Sequence, residues 1–284
     1  MGNGKLCIDI GGTKIIFAII DRSGKILRSK RMATPNSKEL FLDLLNGNIL
    51  DYLKFSNGII NVSIAGRVDN NGRVIFSPNL PIEGFNFTRF IKKFSEKVSV
   101  ENDGNCFGLY QLYKNGLKNC KSALAIVWGT GIGSSILDSG SIYKGGGFAA
   151  ESGHVIYDYN TGRDIESVIG GKSIKQVYGI DGLALHKLAD KGDKNALKIF
   201  KDIGKIFGLY LYSMAAILDP EVIVLGGSFA NSWKFIKEEV YSILRSRCIR
   251  KNIKIKVCKG KFYVVKGCYF IDEHENTNNK LQSI

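Results

Sequence analysis

The same order of strands and turns occurs twice in this chain. Residues 6–27 read LCIDIGGTKIIFAIIDRSGKIL, and residues 124–142 read LAIVWGTGIGSSILDSGSI. Each segment has an apolar strand, a turn rich in glycine and threonine, a second apolar strand, an Asp/Ser/Gly turn and the start of a third strand. Two such units, far apart in the chain, predict a duplicated fold with two similar halves.

The remaining segments alternate between helical and strand patterns. Apolar residues have helical spacing over 38–54, 87–96, 106–112 and 201–218, and the last of these segments is closed by Asp219-Pro220. Short apolar runs at 59–65, 98–100 and 221–225 are typical of buried strands. The alternation predicts an α/β protein. The polar tail, residues 273–284, is expected to be a loose terminal helix or disordered.

Composition favours a folded soluble chain. Hydrophobic residues make up 44% of the 284 residues, with 16 Phe and 12 Tyr, which is ample for a core. The apolar stretches are too short for a membrane span and no signal peptide is apparent, so a cytoplasmic protein without a membrane partner is expected. Six cysteines lack any C-x-x-C pair, which favours buried reduced thiols.

The formal net charge of +14 raises the question of nucleic-acid binding. Residues 245–261 carry eight basic side chains and no acid, but they alternate with apolar residues such as Ile253 and Ile255, as in a half-solvated strand. No helix-turn-helix or other reading motif is present, so no nucleic-acid partner is expected. The charge fits the steering of a polyanionic small molecule equally well.

Three glycine-rich turns follow apolar strands. They are DIGGTK at 9–14, GTGIG at 129–133 and GGS at 226–228. Each by itself could be a turn that merely needs glycine. Together they are better explained by one polyphosphate nucleotide, because backbone N–H groups in such turns cradle phosphate and glycine permits close approach. Asp9, at the end of its strand, is placed to hold Mg²⁺ through water.

Two polar clusters are candidates for substrate chemistry. In ENDGN at 101–105, a carboxylate beside an amide can hold a sugar hydroxyl and accept its proton; alternatively, Asn102 or Asp103 caps the following helix. In ESGH at 151–154, His154 can donate to one hydroxyl while Glu151 accepts from another. The other two histidines, His186 and His274, are expected to be solvated.

These motifs, in this order, resemble those of the ROK family (repressors, open reading frames and sugar kinases) along nearly the whole chain. The similarity is carried by DIGGTK (9–14), SIAGRVD (63–69), SPNLP (77–81), ENDGN (101–105), GTGIG (129–133), ESGH (151–154) and LDPEVIVLGG (218–227). The resemblance implies the actin-like (ribonuclease H-like) duplicated two-domain fold of sugar kinases, with ATP and a hexose bound in the cleft between the domains. We expect an N-terminal domain of residues 1–104, completed by the tail 270–284, and a C-terminal domain of residues 105–269.

The resemblance also implies roles for individual residues. The first phosphate loop would be formed by Gly11, Gly12, Thr13 and Lys14, and the second by Gly129, Thr130, Gly131 and Gly133. Gly226 and Gly227 would border the adenosine. The sugar would be held by Asn102, Asp103, Glu151, His154 and Glu166, with Gly66 and Asn79 on the rim. Asp103 would be the catalytic base that takes the proton of the 6-hydroxyl.

The chain departs from the family in two respects. Many members bind zinc through the histidine of E-x-G-H and three cysteines of a C-x-C-G-x-x-G-C-x-E segment, but the matching stretch here, YDYNTGRDIE (157–166), contains no cysteine. We therefore predict no zinc site. Family repressors have an N-terminal helix-turn-helix, whereas the first strand here starts by residue 6, which favours the kinase branch.

The resulting prediction is a kinase that uses Mg²⁺ and ATP to phosphorylate the 6-hydroxyl of a hexose, with glucose as the first choice. An N-acetylhexosamine, N-acetylmannosamine or N-acetylglucosamine, is the alternative substrate. A sugar-sensing regulator without catalysis is the alternative of a different class. By resemblance, the chain would form a homodimer or homotetramer.

Overall fold

The computed structural model describes residues 2–147, 149–247 and 253–282. The chain divides into two compact units. The first unit comprises the described residues within 1–118, 140–149 and 260–284, and the second comprises those within 119–139 and 150–259. Part of the basic segment 245–261, residues 248–252, lies outside the described residues, as does the end of the tail, residues 283 and 284.

Strands and helices alternate, as the apolar pattern predicts. The strands are β1 (Gly4–Ile10), β2 (Lys14–Asp21), β3 (Ile26–Ala33), β4 (Ser56–Ile64), β5 (Arg67–Val68), β6 (Val74–Phe76), β7 (Val98–Asn102), β8 (Ser122–Trp128), β9 (Ile132–Asp138), β10 (Ser141–Tyr143), β11 (Ile156–Asp158), β12 (Arg163–Asp164), β13 (Val222–Gly226) and β14 (Lys254–Val257). The helices are α1 (Lys38–Leu53), α2 (Phe87–Ile91), α3 (Asp103–Lys114), α4 (Ile165–Ile169), α5 (Gly171–Tyr178), α6 (Gly182–Asp190), α7 (Lys194–Leu218), α8 (Trp233–Arg247), α9 (Tyr263–Cys268) and α10 (Ile271–Gln282), with single 3₁₀ turns at Ser152–His154 and Phe229–Ser232.

The two units repeat one strand order. In the first unit the sheet runs β3-β2-β1-β4-β7, with β1 antiparallel to β2 and parallel to β4, and β4 parallel to β7. The strands of the second unit run β9-β8-β13-β14, with β8 antiparallel to β9 and parallel to β13. The order β9-β8-β13-β14 therefore repeats β2-β1-β4-β7, and the prediction of a duplicated α/β fold is confirmed.

Each unit has its own apolar core. In the first, the inner strands β1, β2 and β4 pack against α1 and α2, with Phe17, Phe41 and Phe87 fully buried. In the second, Trp128 at the end of β8 lies 4.3 Å from Phe207 and 4.4 Å from Phe229, measured between ring centroids. The indole N–H donates to Ile169 O at 2.8 Å, which satisfies the buried donor.

The boundary between the units differs from the predicted one after residue 104. Helix α3 stays with the first unit because α9 packs directly on it: a Cβ on Gly267 would lie 1.7 Å from Cys106 O. The Phe107 and Tyr263 rings also meet, with centroids 5.8 Å apart. Residues 260–269, which we expected in the C-terminal domain, therefore belong to the first unit.

The polar tail forms helix α10 rather than a disordered end. Its start is held by Lys5 Nζ, which lies 2.7 Å from Asp272 Oδ1 and 2.8 Å from Glu273 Oε1. The expectation that His274 is solvated is wrong: the side chain is buried, its ring stands edge-on to Tyr113, and Nε2 accepts from the Ile142 N–H at 3.3 Å. Burial lowers the pKa of His274, because the charged ring would lose its hydration.

Several helix bounds differ from the predicted ones for local reasons. Helix α7 begins at Lys194, seven residues before the predicted start, because the Asp193 side chain caps it by accepting from Ala196 N at 2.8 Å. It ends as predicted, with Asp219 in the left-handed region at φ 39° before Pro220. Helix α2 is shorter than predicted, ending at Ile91, and Ser95 Oγ then donates to Gly58 O at 2.5 Å. Among the helices of the described residues, none has the length and apolar character that crossing a bilayer requires.

Candidate active site

The parallel strands of the first unit end together at one edge of the sheet. Ile10 of β1 pairs with Ile64 of β4, and Ile64 pairs with Asn102 of β7. The residues that follow these strands are the 11–14 loop, Gly66 and Asp103, so three predicted elements of the site share this edge. The carboxyl ends of parallel strands are the usual place for ligands in α/β proteins.

The 11–14 loop is a tight turn between β1 and β2. Gly11 N donates to Lys14 O at 2.9 Å, and Thr34 Oγ1 donates to Gly11 O at 2.6 Å. The side chain of Asn79 packs on Gly12: a Cβ there would lie 2.5 Å from Asn79 Cβ. The structure thus brings Asn79 to the 11–14 loop, whose residues 12–14 are exposed to solvent.

Asp9 lies directly beneath this loop. Its Oδ1 accepts from Ser63 Oγ at 3.2 Å across the β1–β4 pair. Burial raises the pKa of Asp9 to about 6, although the positive charge of Lys14 and the Ser63 hydrogen bond act in the opposite direction. Mg²⁺ is commonly bound by one or two carboxylates together with waters and substrate phosphates. The Asp9 carboxylate beneath the 11–14 loop fits that ion.

Of the two roles that the sequence left open for Asn102 and Asp103, the structure shows the helix cap. Asn102 caps α3, because its Oδ1 accepts from Asn105 N at 3.1 Å, while its Nδ2 donates to Gly66 O at 2.9 Å. Asp103 is the first residue of the helix, and its Oδ1 accepts from Gly104 N at 2.9 Å and from Asn102 Nδ2 at 3.3 Å. The helix N-terminus favours negative charge on the Asp103 carboxylate.

Gly66 could not be replaced by a larger residue without strain. Its φ is 148°, and a Cβ would lie 2.6 Å from Phe76 O. The residue therefore holds the end of β4 against the β5–β6 hairpin and against Asn102.

An ion pair that the sequence analysis missed lies beside Asn102. Glu101, one residue before Asn102, has Oε2 at 2.5 Å from Lys144 Nζ, while its Oε1 accepts from Asn102 N at 2.9 Å and from Asn105 Nδ2 at 3.1 Å. Burial alone would lower the pKa of Lys144, but the nearby Glu101 carboxylate more than offsets it and raises the pKa. Neither residue's spacing in the chain indicates this pairing.

The second unit has an equivalent edge. Val127 of β8 pairs with Gly226 of β13, so the 129–133 turn and the Gly226-Gly227 turn lie side by side. Gly227 has φ 90°, and a Cβ there would lie 2.2 Å from Trp128 O. This close approach requires glycine, and it brings the Gly226-Gly227 turn to the start of the 129–133 turn.

Helices α4 and α5 hold the 129–133 turn in place. Gly171 N donates to Gly129 O at 3.0 Å, and Lys172 N donates to Thr130 O at 2.9 Å. Glu166 Oε2 accepts from Ile132 N at 2.6 Å. Glu166, expected to hold the sugar, therefore has a contact with the 129–133 turn that the sequence did not indicate.

The ESGH segment packs against the same turn. A Cβ on Gly153 would lie 2.4 Å from Ile132 O, which brings Glu151 and His154 near Glu166. Beneath them is a chain of buried hydroxyls: Ser134 Oγ donates to Ala150 O at 2.5 Å, and Ser152 Oγ bonds both Ser134 Oγ and the Tyr210 hydroxyl. Because a hydroxyl has only one proton, the Ser134 bond to Ala150 O makes Ser152 donate to Ser134 and Tyr210 donate to Ser152.

This hydroxyl chain stays uncharged. Burial raises the pKa of Tyr210 to about 12, since the phenolate would lose its hydration, although the neighbouring Ser152 and Ser134 hydroxyls act in the opposite direction. The chain therefore fixes the backbone of Ala150, whose φ is 72°, directly before Glu151.

His154 is paired with an acidic residue. Its Nδ1 lies 2.8 Å from Asp164 Oδ2. Burial alone would raise the pKa of Asp164, but the hydrogen bonds from His154 and from the Ser167 N–H together lower it. Asp164 was not among the predicted site residues.

Zinc does not fit the residues at this place. The 157–166 stretch forms the β11–β12 hairpin and supplies no cysteine, and Asp164 stands two residues before Glu166, where the C-x-C-G-x-x-G-C-x-E pattern has its last cysteine. Across residues 2–147, 149–247 and 253–282 no group of three or more His, Cys, Asp or Glu side chains could hold a metal ion.

The fold and the order of motifs agree with known proteins. The ROK family model matches residues 5–263. An N-acetyl-D-glucosamine kinase of Photobacterium profundum is 25% identical over 286 residues, covering 89% of this chain and 93% of the relative.

Two solved structures are similar in fold. A ROK family glucokinase from Streptomyces griseus, in complex with glucose and AMPPNP, has a TM-score of 0.83 at 22% identity, covering 96% of this chain and 99% of that chain. A ROK family transcriptional regulator, a homologue of the E. coli MLC protein, has a TM-score of 0.83 at 18% identity, covering 96% of this chain and 78% of that chain. With the family model matched over nearly its whole length, this chain belongs to the ROK family.

Proposed function

We propose that this protein is an ATP-dependent sugar kinase that transfers the γ-phosphoryl group of Mg-ATP to the 6-hydroxyl of a hexose. The observation that carries the proposal is the edge of the first unit, where Asp103 at the start of α3 shares the strand ends with the 11–14 loop. The family membership and the kinase relative from Photobacterium profundum support the same activity.

Asp103 acts as the general base in this proposal. As the sugar's 6-oxygen bonds to the γ-phosphorus and the bond from that phosphorus to the ADP oxygen breaks, the Asp103 carboxylate accepts the hydroxyl proton. The bonds from Gly104 N and Asn102 Nδ2 orient the carboxylate for this step. General-base help of this kind contributes about 10²–10⁴ in rate.

The remaining residues bind and orient the two substrates. The N–H groups of the 11–14 loop and the charge of Lys14 would hold the transferred phosphates, and the 129–133 and 226–227 turns would hold the rest of the nucleotide. Asp9 would hold Mg²⁺ through water, and the bound ion would neutralise phosphate charge. The sugar hydroxyls would be held by Asn102, Glu151, His154 and Glu166, with Gly66 and Asn79 beside them. Positioning and charge stabilisation supply most of the rate in phosphoryl transfer.

Glucose and N-acetylglucosamine are the two leading acceptors. Glucose is the first choice from the sequence, and the name of the Photobacterium profundum relative favours N-acetylglucosamine as the second. A coupled ADP-release assay with Mg-ATP across glucose, mannose, fructose, N-acetylglucosamine and N-acetylmannosamine separates them. A rate that depends on one sugar, and that is lost in Asp103→Asn, is the expected result.

A sugar-sensing regulator without catalysis is the candidate of a different class. A transcriptional regulator has the same fold as this chain, and the likeness in fold alone does not distinguish the two activities. If calorimetry detects binding of a sugar but none of the five sugars gives ADP release from Mg-ATP, the regulator is favoured and the kinase is contradicted.

A further inference from the structure

The partner of His154 decides which hydrogen bonds its ring can make. Nδ1 of His154 lies 2.8 Å from Asp164 Oδ2, and both side chains are partly buried, 34% and 23% exposed. An ionised carboxylate only accepts hydrogen bonds, so the proton of this bond belongs to Nδ1. In the neutral ring, the other nitrogen, Nε2, then has a lone pair and acts as an acceptor.

Asp164 is itself held by a second, separate bond. Its Oδ1 accepts from Ser167 N at 2.8 Å and so caps α4, while Ser167 Oγ donates to the Asp164 carbonyl at 2.8 Å. Pairing of Ile156 with Asp164 across the β11–β12 hairpin fixes the backbone as well. The two oxygens of one carboxylate therefore have different roles: Oδ1 caps the helix and Oδ2 orients the imidazole.

We propose that Asp164 is a positioning residue that holds the neutral His154 ring in the Nδ1–H tautomer, so that Nε2 accepts a hydrogen bond from a sugar hydroxyl. The sugar part of this inference rests on the proposed kinase function. The bond direction is the reverse of the one that the sequence suggested, in which His154 donates. It is also the reverse of what a metal ion on Nδ1 would produce, since a metal-bound nitrogen has no proton and the other nitrogen is then an N–H donor.

Asp164→Asn tests the tautomer without removing the helix cap. Asparagine caps helices as well as aspartate does, so its Oδ1 keeps the bond from Ser167 N. Its Nδ2 then faces His154 as a donor, and Nδ1 becomes the acceptor with the proton on Nε2. Asp164→Ser is the matched control, because serine also caps a helix but is too short to direct the ring.

The first measurement is the ¹⁵N chemical shifts of the imidazole nitrogens in the free protein at pH 8. The chain has three histidines, and His154→Gln assigns the signals of His154. The wild type is expected to be neutral with the proton on Nδ1, and Asp164→Asn with the proton on Nε2. An Nε2–H tautomer or a charged ring in the wild type, or an unchanged tautomer in Asp164→Asn, would overturn the proposal.

The second measurement determines the sugar KM and kcat separately for each variant. Asp164→Asn is expected to raise the sugar KM about 10-fold or more, as loss of a partner that orients a histidine does elsewhere. The KM for ATP and the melting temperature should stay close to wild type, and Asp164→Ser should give a smaller rise. A sugar KM unchanged in Asp164→Asn would contradict the role of Nε2 as acceptor. Because the NMR experiment needs no turnover, a protein with the expected tautomer but no kinase activity would refute the proposed function alone.

Discussion

The two glycine loops share a backbone pattern but differ in charge and support. Asp9 and Lys14 flank the first loop, whereas Val127 and Ile132 occupy the equivalent positions of the second. In the first loop, Gly11 N donates to Lys14 O, and Thr34 after β3 donates to Gly11 O and Thr13 O; residues 12–14 are exposed. The second is bonded by Gly171 N and Lys172 N of the α4–α5 segment.

This difference predicts different roles for the two loops of the duplicated fold. A loop with exposed N–H groups, a cation and a nearby carboxylate suits the reacting phosphates and their Mg²⁺. A loop without a flanking cation, fixed by helices and by the Glu166 carboxylate, suits the less reactive part of a nucleotide. The comparison therefore predicts that changes at the first edge alter catalysis, while matched changes at the second edge alter stability.

The largest expected effect is that of Asp103→Asn at the first edge. Turnover should fall by about 10²–10⁴, the range of a lost general base, while sugar affinity stays within a few-fold because the amide keeps the hydrogen-bond acceptor. Steady-state kinetics and calorimetry measure the two quantities. Asp43→Asn, on the exposed face of α1, is the control for loss of a negative charge. Turnover within threefold of wild type would show that another group is the base.

The next largest effect is a loss of stability when the glycines that follow β4 and β13 are replaced by alanine. Gly227→Ala should lower the free energy of unfolding by about 3 kcal/mol or more, because a strained φ adds to a clash with backbone. The new Cβ would lie 2.2 Å from Trp128 O, inside the sheet. Gly66→Ala meets Phe76 O at 2.6 Å on a short hairpin that can shift, so the loss should be smaller.

Urea unfolding measures both glycine variants. Gly129→Ala is the control for the second edge, since a Cβ there has nothing within 4 Å. Equal losses in Gly66→Ala and Gly227→Ala would contradict the view that the second edge is the more rigidly packed of the two.

The smallest expected effect is a gain rather than a loss of stability. Asp9→Asn should stabilise the fold by about 1–3 kcal/mol at pH 8, because a pKa raised by about two units means that the folded state disfavours the charged carboxylate. Its pKa in the folded protein is about 6. The folded state thus binds the extra proton between about pH 4 and 6, so wild-type stability falls as pH rises through this window and the advantage of the variant appears there.

The pH dependence of urea unfolding checks the Asp9 prediction. Asp21→Asn, at the end of β2, is the matched control: the Ser23 hydroxyl and the Lys25 N–H lower the pKa of Asp21, so its loss should destabilise slightly at neutral pH. If Asp9→Asn is less stable than wild type at pH 8, burial is not the main influence on the pKa of Asp9.

The sequence predicted the elements of the fold better than their ends. The duplicated strand order, the Asp219-Pro220 stop of α7 and the Asn102 cap all follow from local patterns, because turns and caps depend on residues close in the chain. Helix α2 is shorter than its apolar spacing predicts, because the chain leaves the helix for a turn after Ile91, in which Lys93 N bonds Phe90 O and Phe94 N bonds Ile91 O. The unit boundary also differs, because α9 packs on α3 from far along the chain.

For the candidate site, glycine and charge patterns by themselves selected the residues at both strand edges, and the family resemblance supplied their expected roles. Hydrophobic periodicity and turn chemistry are local, so they determine which segments form strands and where each strand ends. Only the tertiary structure decided the partners: Glu101 with Lys144, His154 with Asp164, and Lys5 with Asp272. These pairs depend on how separate segments are brought together by the fold. Neither the composition nor the spacing of residues in the chain predicts which side chains then meet.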